Sequence, residues 1–265
     1  MLHEDFPPGS VWLVGAGPGD PELLTRKAER LIAAADVVFH DALVGAGVLD
    51  LIPASAERIS VGKRSGRHSK DQAAIDALIV AAAKAGKRVT RLKGGDPAIF
   101  GRTAEEVAAC TKAGVRVRIC PGVTAASAAT AAAGLSLTLR DSARQVTFVT
   151  AHARAGVALD LDWQALASSA TTLAIYMGRA AAGLVAQQLM ASGRSADTPV
   201  LVVVNASLPS ERLIRGKLSS LAFLVETVGH HDPTMLIVGE AVRPSDPLAR
   251  GDMLRHWPQR HRVEP

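Results

Sequence analysis

Two adjacent glycines and an aspartate, Gly94-Gly95-Asp96, follow a short apolar strand read over Val89 to Leu92. Paired glycines let a backbone come close to a ligand without side-chain clash. Asp96 adds a carboxylate, and Pro97 turns the chain out of the strand. Arg91, Lys93 and Arg102 flank the break, so a ligand bearing carboxylates would find cations nearby. Arg91 lies within the strand, however, and Lys93 has no assigned partner. Taken alone, the stretch fits a tight strand-to-helix turn as well as a ligand wall. A second glycine run, G-A-G-P-G-D at 15–20, and Asp41 near the end of the next strand invite a dinucleotide-binding reading. Two details oppose it. Asp20 stands where the fingerprint needs a glycine for close helix packing, and Pro18 removes an N–H from the loop that would cradle a pyrophosphate.

Alternating strands and helices have to position these groups. Strands are expected at Val11 to Val14, Asp36 to Phe39, Arg58 to Val61, Val89 to Leu92 and Val115 to Ile119. A helix is expected after Asp20 as N-cap and Pro21 as first helical residue, and others near Val44 to Leu51, Lys70 to Ala85 and Ala104 to Lys112. A small-residue helix follows Pro121-Gly122-Val123-Thr124. Short Gly/Pro-rich joints between such elements imply a largely parallel sheet, with ligands outside the carboxyl ends of its strands. Gly15 to Asp20, Asp41, Lys63, Gly94 to Asp96 and Pro121 to Thr124 all fall at such ends. A second series has strands at Val146 to Thr150, Thr172 to Tyr176, Val200 to Val204, Leu213 to Gly216 and Met235 to Val238. The fold class expected is therefore α/β, with two domains of mostly parallel sheets. Residues 1–133 would form the first, 134–144 a linker, 145–243 the second and 244–265 a tail.

Composition narrows the ligand. The 265 residues carry a net charge of +5, with a pI near 9.6. The cations are scattered and aromatics make up only 3% of the chain, which opposes a basic stripe with stacking aromatics and hence nucleic acid. An acidic small molecule is the better expectation. Cys110 and Cys120 match no metal or redox spacing and read as inert core thiols. The N-terminus has no signal-peptide pattern and no stretch has the length of a membrane span, so a cytoplasmic protein is expected.

In order along the chain, the motifs resemble those of the tetrapyrrole methyltransferases. They are V-G-A-G-P-G-D-P-E-L-L-T at 14–25, D-A-L-V at 41–44, V-G-K-R at 61–64, R-L-K-G-G-D-P at 91–97, I-F-G-R at 99–102, P-G-V-T-A at 121–125 and Y-M-G at 176–178. The resemblance runs from about Val11 to Val242. It implies two α/β domains with S-adenosylmethionine in the cleft between them, and S-adenosylhomocysteine as product. The implied cofactor contacts are Pro18, Gly94, Gly95, Asp96, Ile99, Thr124 and Ala125 from the first domain, with Met177 and Ala206 from the second. Without the resemblance, Met177 and Ala206 would read as ordinary core.

The D-A-L-V and V-G-K-R pair is similar to the branch acting on uroporphyrinogen III. That branch methylates the ring at C2 and C7 to give precorrin-2, for sirohaem or cobalamin, and the alternative is a methylase of a later corrin precursor. The resemblance makes Asp41 the proton acceptor and Lys63 the proton donor. Their other reading is an ion pair bracing two strand ends. It places Arg102, Glu105 and Arg140 at the substrate, the arginines forking onto its carboxylates and Glu105 orienting Arg102. Thr103-Ala104 stands where paired glycines often follow the arginine, and Leu139 where a histidine often precedes Arg140, which would alter substrate handling. A stand-alone homodimer is expected, without the extra module of the fused sirohaem synthases.

Overall fold

The computed structural model describes residues 5–62, 71–152, 159–229 and 232–244. The first sheet takes strands β1 (Ser10–Gly15), β2 (Val37–His40), β3 (Glu57–Ser60), β4 (Val89–Lys93) and β5 (Arg116–Cys120). Their order is β3-β2-β4-β1-β5, and every pairing is parallel. The three central strands are buried along their whole length, which explains the near-continuous apolar runs of β1 and β2. Register matters most here. Gly15 pairs with Lys93, His40 with Leu92 and with Ser60, and Val14 with Cys120. The strands therefore stop at one level, and all the glycine-bearing loops emerge along a single edge.

Helices α1 (Arg26–Ala33), α2 (Ala46–Leu49), α3 (Gln72–Lys84) and α4 (Thr103–Lys112) cover this sheet. On α3, Ile75, Ile79 and Ala83 are buried at four-residue spacing and face the core beside β4. The helix expected from Pro21 is broken. Asp20 does cap, accepting from the Glu22 amide, but only for a 3-10 turn at Pro21–Leu23. Leu24 is extended, and Thr25 then caps α1 by accepting from the Ala28 amide. Both cysteines are buried, and burial pushes the Cys110 thiol up to about 11.

The second sheet takes β6 (Gln145–Thr150), β7 (Thr171–Tyr176), β8 (Pro199–Val204), β9 (Arg212–Lys217) and β10 (Thr234–Val238), in the order β6-β7-β10-β8-β9. Here the expectation of a mostly parallel sheet fails. Only β6 and β7 pair in parallel, while β10 runs against both β7 and β8, and β9 against β8. The link from β8 to β9 is too short for a helical crossover, so those strands must form a hairpin. Helices α6 (Trp163–Leu166), α7 (Ala182–Ala191) and α8 (Leu221–Glu226) complete this half. The opposite face of the sheet is covered by α5 (Ala125–Ala132), which follows β5. Its Ala126, Ala128 and Ala129 pack on Ala174, Leu201, Val203 and Ile237, and small side chains allow that close approach. From β9, Arg215 Nη2 donates to the Ala133 carbonyl just beyond α5 at 3.1 Å.

Candidate active site

At the shared edge of the first sheet, three loops meet glycine on glycine. Gly17 and Gly95 exchange backbone hydrogen bonds, at 3.2 Å from the Gly17 amide and 2.7 Å from the Gly95 amide. A Cβ on Gly15 would lie 2.6 Å from Gly122 Cα, and one on Gly122 would lie 2.3 Å from the Gly95 carbonyl oxygen. Asp96 ties the same loops, accepting from the Ala98 amide at 2.7 Å and the Gly122 amide at 3.1 Å. Both of its oxygens therefore already hold protein amides, so its first task is to shape the wall. Gly95 has a φ of +68°, and a Cβ there would meet nothing within 4 Å. It is an open patch of backbone facing free space.

That space is a cleft of about 930 Å³ between the two sheets, near the top of the range for small-molecule sites. Pro18, Gly94, Gly95, Asp96, Ile99, Thr124 and Ala125 border it from the first half of the chain, and Met177 and Ala206 from the second. Asp41 borders it too. Met177 is 48% exposed and has a φ of +52°, which corrects its reading as ordinary core. Ala206 is buried and packs with α5 as well as reaching the cleft. Phe100, Arg102, Met177, Asn205 and Ser207 are the non-glycine residues at positive φ among those described, and three of them border the cleft. Such strain gathers where surrounding structure holds a ligand wall in shape.

The two halves touch across the cleft through polar and aromatic contacts that sequence reasoning did not find. The Tyr176 hydroxyl hydrogen-bonds Thr124 Oγ1 and the Tyr176 ring meets Phe100 at 5.1 Å, while Phe148 of the neighbouring β6 packs on the same ring at 5.7 Å from its own side. Burial raises the Tyr176 phenol above its usual range. The Asp20 amide donates to Ser207 Oγ at 3.0 Å. The signal was present in Y-M-G, whose tyrosine closes β7 and itself borders the cleft.

The remaining site candidates divide. Arg102 stands at the start of α4 in a left-handed conformation, and both Nε and Nη2 donate to Glu105, at 2.8 and 2.7 Å. This pair is half exposed and does not border the cleft itself. Arg140 is exposed in the turn closed by Leu139 and Ala143, its carbonyl accepting from Arg144 Nε. Lys63 lies outside the described residues. Arg91 and Lys93, to which the sequence assigned no partner, are buried and paired: Arg91 reaches Asp41 and Glu106, and Lys93 Nζ donates to Glu106 at 2.6 Å. Burial pulls the Lys93 ammonium below its usual range, against the opposing charge of Glu106. Among the described residues no group of His, Cys, Asp and Glu could hold a metal ion, and no helix is long and apolar enough to cross a membrane.

Comparison with known proteins bears on this cleft. The family model of the tetrapyrrole (corrin/porphyrin) methylases matches residues 10–222. A siroheme synthase of Yersinia enterocolitica is 51% identical over 236 residues, which are 88% of this chain and 49% of that protein. A siroheme synthase of Pseudomonas aeruginosa is 47% identical, over 91% of this chain and 52% of its own. The chain thus spans about half the length of these curated relatives. Among solved structures, a uroporphyrin-III C-methyltransferase of Thermus thermophilus complexed with S-adenosylhomocysteine is 40% identical, with a TM-score of 0.76 over 88% of this chain and 99% of that one. A cobalt precorrin-4 methyltransferase is 31% identical, with a TM-score of 0.79 over 89% of this chain and 97% of its own.

Proposed function

The chain belongs to the tetrapyrrole methylase family, and from that premise we propose that it methylates uroporphyrinogen III at C2 and C7, giving precorrin-2. The observation that carries this reading is the common wall. Loops from both halves of the chain bring every expected cofactor position, together with Asp41, to one cleft. The relative from Thermus thermophilus that holds S-adenosylhomocysteine is named for uroporphyrin III and is 40% identical, against 31% for the precorrin-4 enzyme. Sequence therefore favours uroporphyrinogen III over a later corrin precursor, although the shape match is as good for either.

S-adenosylmethionine fits the cleft as cofactor. Gly94 and Gly95 offer bare backbone, and Met177 and Ala206 give an apolar surface suited to an adenine. When bound, it supplies a methyl group already activated on a sulfonium. The chain's own work is to hold an electron-rich pyrrole carbon near that methyl and to manage the proton released by each transfer. Asp41 takes up that proton, and Lys63 serves as the proton donor. Arg102 and Arg140 hold the substrate's carboxylates, with Glu105 fixing the plane of the Arg102 guanidinium. The basic excess of the chain suits a polycarboxylate. A cytoplasmic homodimer completes the proposal.

Incubation with uroporphyrinogen III and S-adenosylmethionine, followed by absorbance of the oxidised product, tests the substrate. Calorimetric titration with S-adenosylhomocysteine tests the cofactor, and the absence of a binding isotherm would sink the whole reading. Arg102→Ala and Arg140→Ala are each expected to raise KM for uroporphyrinogen III on the order of tenfold, the worth of one charge-assisted hydrogen bond. Neither should change S-adenosylhomocysteine affinity, because neither residue borders the cleft.

A further inference from the structure

Beside Asp41, at the end of β4, lie three buried charges that the proposed roles leave without a purpose. Arg91 and Lys93 are two residues apart on β4, so their side chains leave the same face of the sheet. Glu106 of α4 meets both there, accepting from Arg91 Nε at 2.9 Å on one oxygen and from Lys93 Nζ at 2.6 Å on the other. The Arg91 and Lys93 side chains are 4% exposed, and that of Glu106 is fully buried. Arg91 goes further: its Nη1 donates to the Leu92 carbonyl at 3.1 Å, and its Nη2 donates to Asp41 Oδ1. Each nitrogen of the guanidinium thus has its own acceptor, and the planar group cannot turn without breaking one of them. Asp41 borders the cleft, whereas Arg91 and Glu106 do not.

Bracing β4 against α4 would not call for such a cluster. Well-packed apolar residues of similar volume commonly stabilise a core as well as a buried ion pair does. What charges add is direction, and here the direction ends on Asp41. We propose that Glu106 and Arg91 form a rigid arm that aims the Asp41 carboxylate into the cleft, which makes them positioning residues for the methylation. The inference rests on the reading of Asp41 as the group that takes the substrate's proton. Glu106 holds the guanidinium from behind, the Leu92 carbonyl sets its plane, and its free edge grips Asp41. A lysine at position 91 would keep the charge but lose the fork.

A double-mutant cycle tests the arm. Arg91→Lys is expected to lower kcat roughly tenfold to a hundredfold, the scale of a small misplacement of a reacting group. KM for S-adenosylmethionine and affinity for S-adenosylhomocysteine should stay within about twofold, since the arm does not touch the cofactor wall. In an Asp41→Asn background the same change should cost less than about threefold, because the arm then has no carboxylate to aim. Losses that simply multiply would mean that Arg91 only braces the fold, and would overturn the proposal. Should Arg91→Lys fail to fold, Glu106→Gln carries the same cycle with the same two outcomes. A wild-type chain that binds S-adenosylhomocysteine but leaves uroporphyrinogen III unmethylated would fail the substrate reading alone. Crystal structures of wild type and variant would then decide the arm: a displaced Asp41 carboxylate supports it, and an unmoved one overturns it.

Discussion

Gly122→Ala is expected to abolish measurable S-adenosylhomocysteine binding. The new Cβ would sit 2.3 Å from the Gly95 carbonyl oxygen and 2.9 Å from Gly15 Cα, and both are backbone atoms that cannot swing aside. Relief has to come from moving the Gly95 loop, which is the cofactor wall, or from stretching the Gly122 amide away from Asp96. Overpacking of this kind costs about 1–3 kcal/mol of stability. The affinity loss should be larger than that suggests, because the same shift spoils every contact the wall would make. A fall of at least about a hundredfold follows if the wall gives up roughly 3 kcal/mol of binding. Gly114→Ala is the control. That glycine has a φ of +70°, with nothing within 4 Å of a new Cβ, and lies beyond the C-terminal end of α4. Its replacement costs about 1–2 kcal/mol of stability, the penalty of a side chain in the left-handed region, and should leave the isotherm unchanged. Calorimetry and thermal unfolding on both variants separate the two effects, and full affinity in Gly122→Ala would refute the close-approach argument.

Asp41→Asn should lower kcat by roughly a hundredfold to ten-thousandfold, the usual worth of a positioned acid–base group. The amide has nearly the shape of the carboxylate and can still accept from Arg91, so the fold and the cofactor wall should survive. Its side chain is 31% exposed and borders the cleft, where it can reach a substrate ring. The expected signature is therefore a large loss in kcat with S-adenosylhomocysteine affinity held within about twofold. Single-turnover measurement of product absorbance would read it. If turnover stayed within a few-fold of wild type, Asp41 would be left as a strand-end ion-pair partner, and the proton would have to leave by another group.

Much of this site could be read from the residue string because its logic is local. A glycine where backbone meets backbone, or an aspartate capping the next turn, shows in the sequence as G-G-D-P or P-G-V-T. Their placement at strand ends follows from the alternation of strands and helices. The buried charges were less legible. In the sequence Arg91 lies within a strand and Lys93 has no assigned partner, yet their spacing holds the clue. Two cations on one face of a strand buried along its whole length require a buried anion, and Glu106 on the next helix is that anion. The second sheet was misjudged for a different reason. Seven residues separate Val204 from Arg212, which excludes a crossover helix and could have warned of the β8–β9 hairpin. The insertion of β10 between β7 and β8 has no local signature at all, since it depends on which edge remains free after the others have paired. Tyr176 meeting Phe100 and Thr124 is equally non-local.

Helix α5 comes from the first half of the chain but lays its alanines on the second sheet. The second sheet therefore cannot finish its core from the second half of the polypeptide alone, whereas the core of the first sheet is built from residues no later than Cys120. A second half made alone would present Ala174, Leu201, Val203 and Ile237 to water, with Arg215 deprived of the Ala133 carbonyl it holds. The second lobe is thus tied to the first through α5, and its opening away from that helix exposes the apolar face of its sheet. Thr124, the N-cap residue of α5, is also the residue that bonds Tyr176 at the cleft. A ligand that steadies this helix end adds its binding free energy to the cost of opening the second lobe.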